Sequence, residues 1–89
     1  MPDEKTLREQ ARAAIRAGKL PTRRADRTWG SQGVGAPCSV CSLPIAKNEK
    51  ELEIELAHDG GRPGIDKFHL HVRCFAAWEL ERGRPLRSS

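Results

Sequence analysis

Four residues in this chain have the types and the spacing to hold a metal ion. Cys38 and Cys41 are two residues apart in CSVC, and His71 and Cys74 are two residues apart in HVRC. A tetrahedral site needs two such pairs, each close enough in sequence for a tight turn or a turn of helix to aim both donors at one point. Three thiols and an imidazole suit one structural Zn2+, with all four positions filled by protein. Each pair alone has plainer readings: CSVC as a redox dithiol or two incidental thiols, HVRC as a core thiol beside a surface histidine. The redox reading needs a βαβ context that the pattern lacks, and an iron–sulfur cluster prefers four Cys. Both pairs together in 89 residues favour the metal.

Two other histidines compete with His71. His69 lies near the end of a segment, IDKFHL, whose alternation puts Phe68 and Leu70 on one side and Lys67 and His69 on the other. His69 therefore falls on the polar face, and His71, with the tighter spacing to Cys74, is the expected ligand. His58 lies in the turn-rich HDGGRPG and reads as an exposed turn residue.

The elements that must position these ligands can be read from periodicity. After the first pair, Leu52, Ile54 and Leu56 alternate with Glu51, Glu53 and Glu55, as in a half-buried strand with an acidic outer face. With HDGGRPG as the bend and IDKFHL as the return strand, this makes a hairpin. From His71 the period changes: Val72, Phe75, Ala76 and Leu80 recur at helical spacing, and Gly83 with Pro85 ends the run. His71 and Cys74, at i and i+3, then project from the first turn of that helix.

The chain divides into residues 1–20, 21–36, 37–83 and 84–89. The first segment reads as a helix with a capping box at Thr6 and Glu9, and with Gly18 and Pro21 as its stop. Leu7, Ala11, Ala14 and Ile15 share a narrow apolar face, while Lys5, Arg8, Arg12, Arg16 and Lys19 form a basic one. Residues 21–36 keep no periodicity and read as an Arg/Gly-rich linker or loop. Residues 37–83 hold both ligand pairs, and residues 84–89 read as a flexible tail.

Composition sets the class. A domain of 89 residues with 37% hydrophobic and 4% aromatic residues buries little apolar surface, so a metal staple supplies stability that packing does not. Three Cys cannot all pair within one chain, which argues against a disulfide scaffold. MPDEKTLREQ has no apolar stretch, so neither a signal peptide nor a membrane anchor is expected, and the cytoplasm is the expected compartment. Catalysis is not expected either: Glu51, Glu53 and Glu55 read as a solvated face with no convergence, and no small-molecule substrate is implied.

The net charge of +4 is uneven. Residues 1–36 carry eight Lys/Arg against four Asp/Glu, and the remainder carries eight of each. Arg8, Arg12, Arg16, Lys19, Arg23, Arg24 and Arg27 therefore form a candidate phosphate-binding surface for DNA or RNA. The alternative is an adaptor that binds an acidic protein or self-associates through Leu7, Ala11, Ala14 and Ile15. Trp29 could stack on a base, and it reads more simply as packing over the domain.

The layout of CSVC, hairpin and HVRC at a helix start resembles treble-clef zinc fingers, the architecture of LIM, RING and PHD-like modules. More narrowly, GKLP, RTWGSQGVGAPCSVC and LHVRCFAAWELER look like small bacterial proteins in which a basic helix precedes one treble clef. The resemblance implies a small, metal-stabilised α+β fold made of a zinc knuckle, a β-hairpin and a C-terminal helix, preceded by the amphipathic basic helix. Some treble clefs carry HNH nuclease chemistry, but the single Asn48 lies upstream of the hairpin and no His follows His71.

Overall fold

A computed structural model describes residues 3–57 and 64–83. Its elements are helix α1 (Glu4–Arg16), strands β1 (Arg27–Gln32), β2 (Lys50–Ala57) and β3 (Ile65–His71), and helix α2 (Val72–Arg82). The result is a small α+β fold with a three-stranded antiparallel sheet in the order β1-β2-β3.

Helix α1 starts one turn earlier than the Thr6–Glu9 capping box predicts. Asp3 is the N-cap, and its Oδ1 accepts from the Thr6 N–H at 2.9 Å. At the other end Gly18 takes a φ of 76°, which lets the Gly18 N–H reach the Ile15 carbonyl and the Lys19 N–H reach the Ala14 carbonyl. These two bonds turn the chain back and satisfy the last carbonyls. The apolar stripe is as expected, since Leu7, Ala11, Ala14 and Ile15 are all buried. They pack inside the chain's own core with Trp78, Ile45 and Leu70, so self-association or docking through that face is not open to the folded protein.

Residues 27–32 depart from the expected loop. Arg27–Gln32 pairs with β2 in the register Thr28↔Ile54, Trp29↔Glu53 and Gly30↔Leu52. All six residues are exposed, so no hydrophobic alternation marks this strand in the sequence. Backbone pairing to β2 makes it. Asp26 sets the register: its N–H donates to the Glu55 carbonyl, and its Oδ2 accepts from the Ala57 N–H at 2.7 Å.

The third strand changes the environment of the glutamate row. The hairpin alone predicts a solvated acidic face, but β2 lies at the centre of the sheet, where side chains from both neighbours cover it. Glu51 and Glu55 are buried. Lys67 stands 3.6 Å from Glu55, and His69 Nδ1 stands 2.7 Å from Glu51 Oε2. On the opposite face Ile54, Leu56 and Leu70 are buried and Phe68 packs against them, as the alternation predicts.

Helix α2 presents a different face from the one its apolar periodicity suggests. Val72 and Leu80 are exposed, whereas Cys74, Ala77, Trp78 and Glu81 are buried. The phase is set by Cys74, which points to the cysteine cluster, and Trp78 one turn later follows it inward. The Trp78 Nε1–H finds the Pro21 carbonyl at 2.9 Å, so its polar edge is satisfied in the core.

Candidate metal centre

The first ligand pair sits on a tight turn between residues 37 and 44. Pro37 and Pro44 form an isolated antiparallel bridge. Inside it the Cys38 N–H donates to the Leu43 carbonyl and the Ser42 N–H to the Cys38 carbonyl, both at 2.9 Å. Ser42 closes the turn with a φ of 67°. The Val40 N–H points at the Cys38 sulfur from 3.4 Å, a backbone donor that favours thiolate. The Ser39 N–H donates to the His69 carbonyl and ties the turn to β3 beside the second pair.

Gly33 seats this turn against the sheet. A Cβ there would stand 2.1 Å from the Ala46 carbonyl oxygen, so only glycine allows the approach. The Gly33 N–H bonds to the Glu49 carbonyl, and the Gly35 N–H to that of Ile45.

The second pair arises where β3 meets α2. His71 is the last residue of β3 and the N-cap of α2, in extended conformation, and Cys74 lies one turn along the helix. This brings Cys38, Cys41, His71 and Cys74 together, with one donor atom from each lying within 4.8 Å of all the others. His71 Nδ1 is 3.4 Å from the Cys41 sulfur and 3.8 Å from the Cys74 sulfur. Its other nitrogen, Nε2, is 3.4 Å from Glu49 Oε1, which also accepts from the Ala46 N–H. Glu49 Oε1 thus stands on one side of the ring while Nδ1 faces the sulfurs on the other. Sequence reasoning did not single out Glu49, and its proximity to His71 arises only from folding.

Packed this closely, the three thiols oppose one another's ionisation. A hydrogen bond from the Cys74 thiol draws Cys38 down to about 4, against the effect of burial. The same bond, burial and the negative neighbour push Cys74 up, and burial pushes Cys41 up. Negative charge is thus favoured at Cys38 and opposed at Cys41 and Cys74. A bound cation would reverse this, because metal ligation holds thiols as thiolates.

His69 does not join the cluster. It belongs to the glutamate row, as strand parity predicts, but it is engaged there with Glu51 and Glu53 rather than pointing freely to solvent. Those two carboxylates and His69 converge within 4.8 Å, where the sequence suggests no convergence. Position 58 lies outside the described residues, as do residues 84–89.

The seven basic residues expected to form one surface separate into two groups. Arg8 Nε donates to Glu81 Oε2 at 2.8 Å, and Arg12 Nε donates to Glu81 Oε1 at 3.1 Å. Arg23 pairs with Asp26 and donates to the Ala57 carbonyl at 2.6 Å. These three are engaged in holding the fold. Arg16, Lys19, Arg24 and Arg27 are exposed, and the Arg27 guanidinium lies over the Trp29 ring at 5.7 Å. Trp29 itself is 44% exposed and lies on the outside of the sheet rather than over the core.

The chain is thus a small α+β protein with a Cys3His cluster able to hold one metal ion. Comparison with protein-family models, curated proteins and solved structures finds no match to it. Among the described residues, no helix is long and apolar enough to cross a membrane.

Proposed function

We propose that this chain is a treble-clef zinc module that binds nucleic acid, with one structural Zn2+ held by Cys38, Cys41, His71 and Cys74. The convergence of those four residues carries the reading. A zinc tetrahedron with Zn–S of about 2.3 Å and Zn–N of about 2.0 Å has sulfur–nitrogen edges of about 3.5 Å. The separations of 3.4 and 3.8 Å around His71 Nδ1 bracket that value. Four protein donors fill the coordination shell, which suits a structural ion and a binding module rather than an enzyme.

Nucleic acid is favoured over docking through the apolar face of α1, because that face is consumed in the core. Arg16, Lys19, Arg24 and Arg27 supply exposed cations, and exposed Trp29 beneath Arg27 supplies a ring on which a base can stack. Binding of the zinc-loaded protein to random oligonucleotides across a salt series tests this. Four phosphate contacts give a log–log salt slope of about −3.6 on duplex and about −3 on single strand. Trp29→Ala should weaken single-strand binding by about 1–3 kcal/mol. Absence of binding to either form would rule nucleic acid out and leave an acidic protein as the partner for the same cations.

A further inference from the structure

On one face of the sheet two carboxylates of β2 stand against a single imidazole of β3. Glu51 and Glu53, at i and i+2 on β2, face His69 on β3, whose register partner is Glu53. His69 Nδ1 lies 2.7 Å from Glu51 Oε2 and 3.8 Å from Glu53 Oε1. Among the described residues, no Lys or Arg forms an ion pair with either carboxylate.

A second observation concerns Glu51 alone. It is only 3% exposed, and its Oε1 is buried with no hydrogen-bond partner. A bare carboxylate oxygen in that position is costly, and native structures satisfy such atoms with water or an ion. Glu53 and His69 are only partly buried, so the cluster opens to solvent through them.

We propose that Glu51, Glu53 and His69 form a second divalent-cation site, separate from the Cys3His cluster. One imidazole nitrogen and carboxylate oxygens within 4.8 Å make a borderline-hard donor set, suited to Zn2+, Mn2+ or Co2+ rather than to a thiophilic ion. Three protein ligands leave positions for water, so this ion exchanges where the four-ligand ion does not. The Trp29 Nε1–H donates to Glu53 Oε2 at 3.2 Å, which puts an indole against the site as a built-in reporter. The proposal is independent of nucleic-acid binding.

Adding Co2+ to full-length protein already carrying one equivalent of zinc tests it. One further equivalent of cobalt should be retained on gel filtration, quench Trp29 emission saturably, and show no thiolate charge-transfer absorption. Glu53→Gln and His69→Gln should each weaken cobalt binding at least tenfold while zinc stays at one equivalent. Retained zinc and an unchanged near-ultraviolet signal from buried Trp78 certify that both variants fold. Trp29→Phe should lose the quenching and keep the cobalt. No extra cobalt, cobalt carrying thiolate absorption, or equal retention by wild type and both variants would overturn the proposal.

Discussion

Arg8 Nε donates to Glu81 Oε2 across 2.8 Å, and the carboxylate that accepts it is 1% exposed. Arg12 takes the other oxygen of the same carboxylate, so α1 is joined to the last turn of α2 by two charge-assisted bonds. Two residues of the basic face of α1 are thereby spent on a buried carboxylate, while Arg16 and Lys19 stay exposed.

Removing Glu81 therefore acts on stability. Breaking a fully buried pair costs about 3–5 kcal/mol, but Arg8 and Arg12 keep partial access to water and can rehydrate. Glu81→Ala should cost about 2 kcal/mol, and Arg8→Met about 1 kcal/mol because Arg12 remains. Urea unfolding of the zinc-loaded proteins measures both. No loss in Glu81→Ala would mean that the helices are held by apolar packing alone.

The same carboxylate sets a pH dependence. Burial works against its charge, but hydrogen bonds from Arg8 and Arg12 outweigh burial and hold its pKa below the ordinary 4.5. A group lowered by folding contributes stability that is fully present above its unfolded pKa and is lost as pH falls through the folded one. The stability gap between wild type and Glu81→Gln should be constant at neutral pH and shrink below about pH 4.5. Taking the difference cancels acid release of metal, which affects both proteins.

Both ligand pairs were legible in the sequence because their spacing is local and needs only a turn or a helix start to become geometry. The hairpin was legible from the alternation of Leu52, Ile54 and Leu56 with glutamates. Strand β1 was not, since Arg27–Gln32 buries no side chain and exists by pairing with β2. That omission hid the burial of Glu51 and Glu55, which requires strands on both sides. The Arg8–Glu81 pair joins residues 73 apart, and no local pattern carries such a pairing. On α2 the Cys74 anchor sets the phase, so Val72 and Leu80, which fit the helical period, lie outside.

Glu49 Oε1 stands 3.4 Å from His71 Nε2, near enough to orient the ring once the metal is bound. Loss of a carboxylate that orients a ligating histidine weakens metal affinity about 10–100-fold. Glu49→Ala should fall in that range when a chromogenic chelator competes for the metal, with the apo-level fold signal unchanged. An affinity equal to wild type would show that the imidazole is held by other contacts.

Gly33→Ala should loosen the turn that carries Cys38 and Cys41. With a Cβ 2.1 Å from the Ala46 oxygen, backbone must move, at a cost of at least about 2 kcal/mol. Thermal unfolding with zinc bound should show a clear loss, and chelator competition should show faster metal release. A neutral result would mean that residues 33–36 are not coupled to the centre.

If Cys38, Cys41, His71 and Cys74 hold one structural zinc ion, the fold around them depends on it. The most direct measurement is an amide proton–nitrogen correlation spectrum of the purified protein, recorded before and after complete zinc removal, with the metal released counted by mass spectrometry. One equivalent of zinc per chain and collapse of the dispersed resonances of β2, β3 and α2 on its removal are predicted. An unchanged spectrum after removal, or iron in place of zinc, would show that the cluster is not a structural zinc site.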